Sequence, residues 1–127
     1  MKLAEFLPQN EIILSVARNI KSKYPEKGAC AYIARDLTNE LKKRGIYAKH
    51  IVGNFHLDEP ASYLFLSPQD TDNDEYTIEH DWVEVGGNIL DPSASQFKKY
   101  VNCDVPEIVY INHKHPLSTK YEFIRYG

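Results

Sequence analysis

The chain reads as an α+β domain in which N-terminal helices pack on an antiparallel sheet. Three observations predict this. Apolar residues recur at helical spacing in two stretches before Gly45. Beyond it the pattern changes to short alternating and aromatic-rich runs, the mark of strands. Two of these runs flank Gly86-Gly87, a pair suited to a two-residue turn of positive φ, which makes its strands antiparallel neighbours.

The first helix is expected from Glu11 to about Lys23, with Asn10 as its N-cap. Ile12, Ile13, Val16, Ala17 and Ile20 form its buried stripe, and Tyr24-Pro25 ends it. The second helix spans residues 29 to 44. Cys30, Ala34, Leu37 and Leu41 recur on one face with Ile33 beside them, Lys42-Lys43-Arg44 suit the negative C-terminal end, and Gly45 is a stop. Its N-terminus has no Ser, Thr, Asp or Asn just before Ala29, so the cap is weakly specified.

Strands are expected at Ile46 to Val52 and at Ser62 to Leu66, with an acidic loop over residues 67 to 75. Residues 77 to 85 alternate as a strand. Ile78, His80, Trp82 and Glu84 face one way, and Glu79, Asp81, Val83 and Val85 the other. A two-residue turn at Gly86-Gly87 then pairs Val85 with Asn88, Glu84 with Ile89, Val83 with Leu90 and Trp82 with Asp91. Asp91 shares a face with His80 and lies diagonal to it, about 7–8 Å away between backbones. A slip of one residue would put Asp91 on the opposite face. Ala94 to Tyr100 reads as a short helix or a loop, and Glu107 to Asn112 and Lys120 to Arg125 as late strands.

Composition sets bounds. A chain of 127 residues with 43% hydrophobic and 12% aromatic content fits one domain, residues 1–127, with its own core, and excludes a disordered class. No apolar run is long enough to span a bilayer, and Met1 to Pro8 lacks a signal-peptide core, so a cytoplasmic location is expected. In that reducing setting Cys30 and Cys103 stay unpaired. A net charge of -3 and the acidic loop argue against a nucleic-acid partner.

Three residues carry the chemistry. Cys30, His80 and Asp91 supply a thiol nucleophile, a base and a carboxylate that orients the base. Cys30 lies in the first turn of a helix, where free N–H groups and the dipole favour a thiolate, and its own N–H can help hold an oxyanion. Trp82 is expected beside these residues, contacting substrate or shielding the site from water. A domain this small is expected to have a single core, in which the apolar face of the Cys30 helix meets the hairpin face carrying His80, Trp82 and Asp91.

Other groupings are weaker. Asp70, Asp72 and Asp74 match the start of a calcium loop, but Glu75 replaces the required Gly and a strand follows where a helix should be. His113-Lys114-His115 with Cys103 lacks the paired ligands of a structural zinc site. His50 and His56 read as strand residues at a sheet surface, and Lys42-Lys43-Arg44 as a solvated helix end.

Three separated blocks, in order, resemble the transglutaminase-like superfamily. Gly28-Ala29-Cys30, its helix, and Gly45-Ile46-Tyr47-Ala48-Lys49 followed by Ile51-Val52-Gly53 are similar to the family's Gly-x-Cys, helix, Gly-Ile-Pro-Ala-Arg and strand. His80-Asp81-Trp82-Val83-Glu84 resembles its His-x-Trp-x-Glu strand, and Asp91-Pro92-Ser93 its Asp-Pro-Thr. The resemblance implies a papain-like core and a Cys30-His80-Asp91 triad. Many crosslinking members carry Trp directly after the Cys, where this chain has Ala31; Tyr47 and Lys49 stand in place of the Pro and Arg. These departures disfavour a calcium-dependent crosslinker and favour a hydrolase.

The expectation is therefore a cysteine-dependent acyl-transfer enzyme, a hydrolase of peptidase or amidase type. It would act through a thioacyl intermediate on a protein, a peptide or a small amide or ester, without metal or cofactor. A transglutaminase or other acyltransferase using the same triad, and a non-catalytic protein-binding module, are the alternatives. A second oxyanion donor is not identified; Gln9, upstream of Cys30, is not assigned that role.

Overall fold

The computed structural model describes residues 2–25, 28–60 and 76–127, and of residues 2–8 the backbone alone. Two helices come first, α1 (Lys2–Ser22) and α2 (Cys30–Lys43). The strands are β1 (Ala48–His56), β2 (Thr77–Val85), β3 (Asn88–Asp91), β4 (Val109–Ile111) and β5 (Tyr121–Tyr126). Short 3-10 segments fill Ala94–Tyr100 and Pro116–Lys120. Among the described residues the strands form one antiparallel sheet in the order β4-β3-β2-β1-β5, so the fold is α+β as expected.

Helix α1 starts earlier than its expected cap. Asn10 lies inside the helix, because Leu3, Ala4, Glu5 and Leu7 upstream are good or fair helix formers and outweigh one capping signal. Ile13, Val16, Ala17 and Ile20 are buried as expected, whereas Ile12 is largely exposed at the edge of the stripe. Helix α2 ends where it should. Gly45 takes a φ of 77°, its N–H donates to the Lys42 carbonyl, and the Ile46 N–H donates to the Leu41 carbonyl. This is a Schellman closure, and buried Ile46 belongs to the same apolar cluster as Leu41. It consumes Ile46, which is why β1 begins at Ala48 and not at Ile46.

β1 also runs beyond Val52, to His56, because β2 pairs with it throughout, from Ala48 opposite Val85 to His56 opposite Thr77. The expected strand at Ser62 to Leu66, the acidic loop and the Asp70-Asp72-Asp74 grouping lie outside the described residues.

The sheet has two apolar faces and both are covered. Helices α1 and α2 pack on one, burying Ile33, Ala34, Leu37 and Leu41 with Ala48, Val83, Val85 and Leu90. The other joins Ile51, Phe55, Ile78, Trp82 and Ile89 to Phe97 and Leu117 of the 3-10 segments and to Val105. The single-core expectation is thus corrected. Strand alternation sends Val83 and Leu90 toward the helices and His80, Trp82 and Asp91 away from them, so the site cannot form across the α2 interface.

Candidate active site

The hairpin sets the first half of the site. Gly86 and Gly87 take φ of 57° and 80°, the positive values that a tight turn of this kind needs. The ladder pairs Val85 with Asn88, Glu84 with Ile89 and Val83 with Leu90, in the expected register. Asp91 therefore ends β3 on the His80 side of the sheet. His80 Nε2 lies 2.7 Å from Asp91 Oδ2, and both side chains are wholly buried.

Asp91 is held from three directions. Besides His80, the Ser93 N–H donates to its Oδ1 at 2.9 Å, and the Tyr121 hydroxyl donates to its Oδ2 at 2.7 Å. A buried carboxylate needs such donors to stay charged. Sequence reading placed Tyr121 only as a strand residue. Its ring reaches the site by packing on Trp82 (centroids 4.9 Å apart) and Phe55 (5.1 Å), both on the His80 face. The sole sequence signal was general: a buried tyrosine hydroxyl must find a partner. Burial, then the Asp91 charge, push the Tyr121 phenol well above its ordinary pKa, so it stays a donor.

His80 sits in an aromatic box. Phe97 meets it edge-on at 5.0 Å, Phe55 at 5.9 Å, and Trp82 stacks at 6.2 Å. Trp82 thus lies where a shield for the imidazole should be; it does not line the cleft at Cys30 described below. Burial alone pulls the His80 pKa down, but the Asp91 charge and hydrogen bond, with a further contribution from Cys30, push it up to about 10. The ring is therefore an imidazolium at neutral pH. Its Nδ1 is buried without a hydrogen-bond partner of regular geometry, although Cys30 is close enough to act on the ring.

Cys30 comes from the other half of the molecule. Gly28 at a φ of 87° turns the chain into α2, and Cys30 is the first helical residue, half-buried and unpaired. Ala29 offers no side-chain cap. The first intrahelical bond runs from the Ile33 N–H to the Ala29 carbonyl, so the N–H groups of Cys30, Ala31 and Tyr32 are free of intrahelical acceptors. The thiol opens on a cleft of about 300 Å³ walled by Tyr24, Pro25, Gly28, Ile33 and Gln96. Lys21 ties one side of that cleft by donating to Ser95 Oγ at 3.1 Å, to the Glu107 carbonyl at 2.9 Å and to the Glu107 carboxylate. Ser93, two residues beyond the end of β3, lines the same cleft as Cys30, and Cys30 is close enough to His80 to act on its ring.

The remaining candidates lie apart. His50 pairs with Asp81 at 2.6 Å on the helix-facing side, and His56 with Glu122 at 2.8 Å. The His115 ring accepts from the Leu117 N–H. Among the described residues, no three His, Cys, Asp or Glu side chains gather as they would around a metal ion. No helix of the described residues is long and apolar enough to cross a membrane. No family model, curated protein or solved structure matches the chain.

Proposed function

We propose that this chain is a cysteine-dependent acyl-transfer enzyme, a hydrolase of peptidase or amidase type on a papain-like, transglutaminase-like core. One observation carries the reading. A wholly buried imidazole is anchored through one nitrogen to a carboxylate, has its other nitrogen unpartnered, and has a half-exposed helix-terminal thiol beside it at the mouth of a cleft.

In this mechanism the Cys30 thiolate attacks the carbonyl carbon of an amide or ester, and the carbonyl electrons move onto oxygen. The His80 imidazolium then gives its proton to the leaving nitrogen or oxygen as the bond to carbon breaks, leaving a thioester on Cys30. Neutral His80 next takes a proton from water. Hydroxide adds to the thioester, the adduct expels the Cys30 thiolate and the acid departs; His80 keeps the proton it took from water, so the thiolate–imidazolium pair is restored. Asp91 keeps the ring oriented and its charge compensated throughout. With an amine in place of water, the same steps transfer the acyl group. Substrates are expected to be proteins, peptides or small amides and esters, and a reducing, cytoplasmic setting suits the free thiol.

The test is covalent labelling with a thiol-reactive acyl probe, read by intact mass, in the native chain, Cys30→Ser and His80→Gln. Labelling confined to Cys30 and slowed about 10²–10³-fold without His80 is the expected result. Slow labelling that ignores His80 would leave a non-catalytic binding module. A panel of amides and esters, with and without an added amine, then separates hydrolysis from transfer.

A further inference from the structure

Away from the cleft, β5 forms one edge of the sheet. Among the described residues it pairs with β1 on one side and with no strand on the other, which leaves a row of backbone N–H and C=O groups open. Phe123, Ile124 and Tyr126 on this strand are 54%, 48% and 56% exposed. Natural edges are blunted by shortness, charge, proline or a bulge. β5 is six residues long, and Tyr121, Phe123, Ile124 and Tyr126 make it mostly apolar, with no proline.

It does carry a bulge, and the bulge sets its faces. Phe123 stands opposite Gly53 and Arg125 opposite Val52, so Ile124 has no partner on β1. A regular strand would turn Glu122 and Arg125 to opposite faces. The extra residue brings them to the same face, because their partners Asn54 and Val52 share one on β1. Tyr121, Phe123 and Tyr126 share the other face, where the Phe123 and Tyr126 rings meet edge-on with centroids 5.1 Å apart.

This arrangement suits a second copy of the chain. A two-fold axis normal to the sheet sets a strand antiparallel to its own copy, and residues directly opposite each other share a face of the joined sheet. Two different residues can pair in this way only if they already share a face in the single strand, as Glu122 and Arg125 do. Both are exposed. Glu122 commits only Oε1, to His56 at 2.8 Å and Asn54 at 3.2 Å, and among the described residues Arg125 makes no hydrogen bond or ion pair.

We propose that β5 is a dimerisation strand whose partner is β5 of a second copy, antiparallel, with Glu122 opposite the second copy's Arg125 at two symmetric places. Phe123 then faces the second copy's Ile124, and Tyr121 the second copy's Tyr126. Opposite charges directly across the ladder favour this register, and a slip of one residue loses both pairs.

Sedimentation of the full chain tests this from about 2 to about 200 µM, because a six-residue seam is small against a standard interface. Monomer should give way to dimer as concentration rises. Arg125→Glu and Glu122→Arg each set like charges across the seam and should each weaken the dimer at least about tenfold; the two together should restore it. Hydrogen exchange of β5 amides should slow at high concentration in the native chain and in the double variant. A native chain that stays monomeric overturns the proposal. So does a dimer whose β5 amides exchange as fast as in the monomer, or single variants that dimerise as tightly as the native chain, or a double variant that folds and does not recover. Should a variant fail to fold, exchange in the native chain decides: protection of β5 that grows with concentration supports the seam, and its absence overturns it.

Discussion

Asp91 Oδ2 is shared by two donors, and the balance between them tunes the imidazole. His80 Nε2 and the Tyr121 hydroxyl both reach it at 2.7 Å. The phenol bonds the carboxylate most strongly when the imidazole is neutral, so it works against the imidazolium. Tyr121→Phe should therefore raise the pH at which activity is lost on the alkaline side. It should also lower stability by about 1.5–3 kcal/mol, the worth of a hydrogen bond to a charged group. A pH–rate profile and a denaturation curve check the two effects, and a merely structural tyrosine would move only the second. Asp91→Asn removes the charge that both donors serve, and turnover should fall about 10²–10⁴-fold.

At the scale of elements, the hairpin decides which carboxylate can serve His80. Asp81 is next to His80 in sequence, yet alternation sends it through the sheet to His50 at 2.6 Å. Asp81→Asn should thus leave turnover close to native while Asp91→Asn abolishes most of it; equal losses would mean that the register is wrong. This half of the site was legible in the sequence, because a two-residue glycine turn fixes the pairing and side-chain period fixes the face. Tyr121 was not legible, because its approach depends on β5 pairing with β1, a contact between distant parts of the chain with no local signature. The same pairing explains Gly53. A Cβ there would sit 2.0 Å from the Glu122 carbonyl oxygen and 2.5 Å from the Trp82 ring. Gly53→Ala should cost at least about 2 kcal/mol in a urea melt, since the nearest obstacle is backbone and cannot step aside.

Over the whole molecule, the site is a seam between two packed layers. Sequence patterns identified the apolar face of α2 and the hairpin face that carries His80, Trp82 and Asp91, and both readings hold locally. Their joint placement was not legible. It depends on β3 ending at Asp91, which leaves Ser93 to line the Cys30 cleft, and strand length is weakly encoded. A seam of this kind links folding to protonation. Unfolded, His80 releases its proton near the ordinary value of 6.5; folded, it holds the proton to about 10. Between these limits the native state binds more protons than the unfolded state, so stability is full below pH 6.5 and falls as pH rises toward 10. One proton sets the slope at no more than about 1.4 kcal/mol per pH unit. Asp91→Asn removes the counter-charge while burial still disfavours the imidazolium, so this slope should vanish across the window. Urea midpoints measured from pH 6 to about 10 should therefore decline in the native chain by more than in Asp91→Asn. Parallel curves would show that the buried pair does not hold the proton, and the thiolate–imidazolium mechanism would lose its charge.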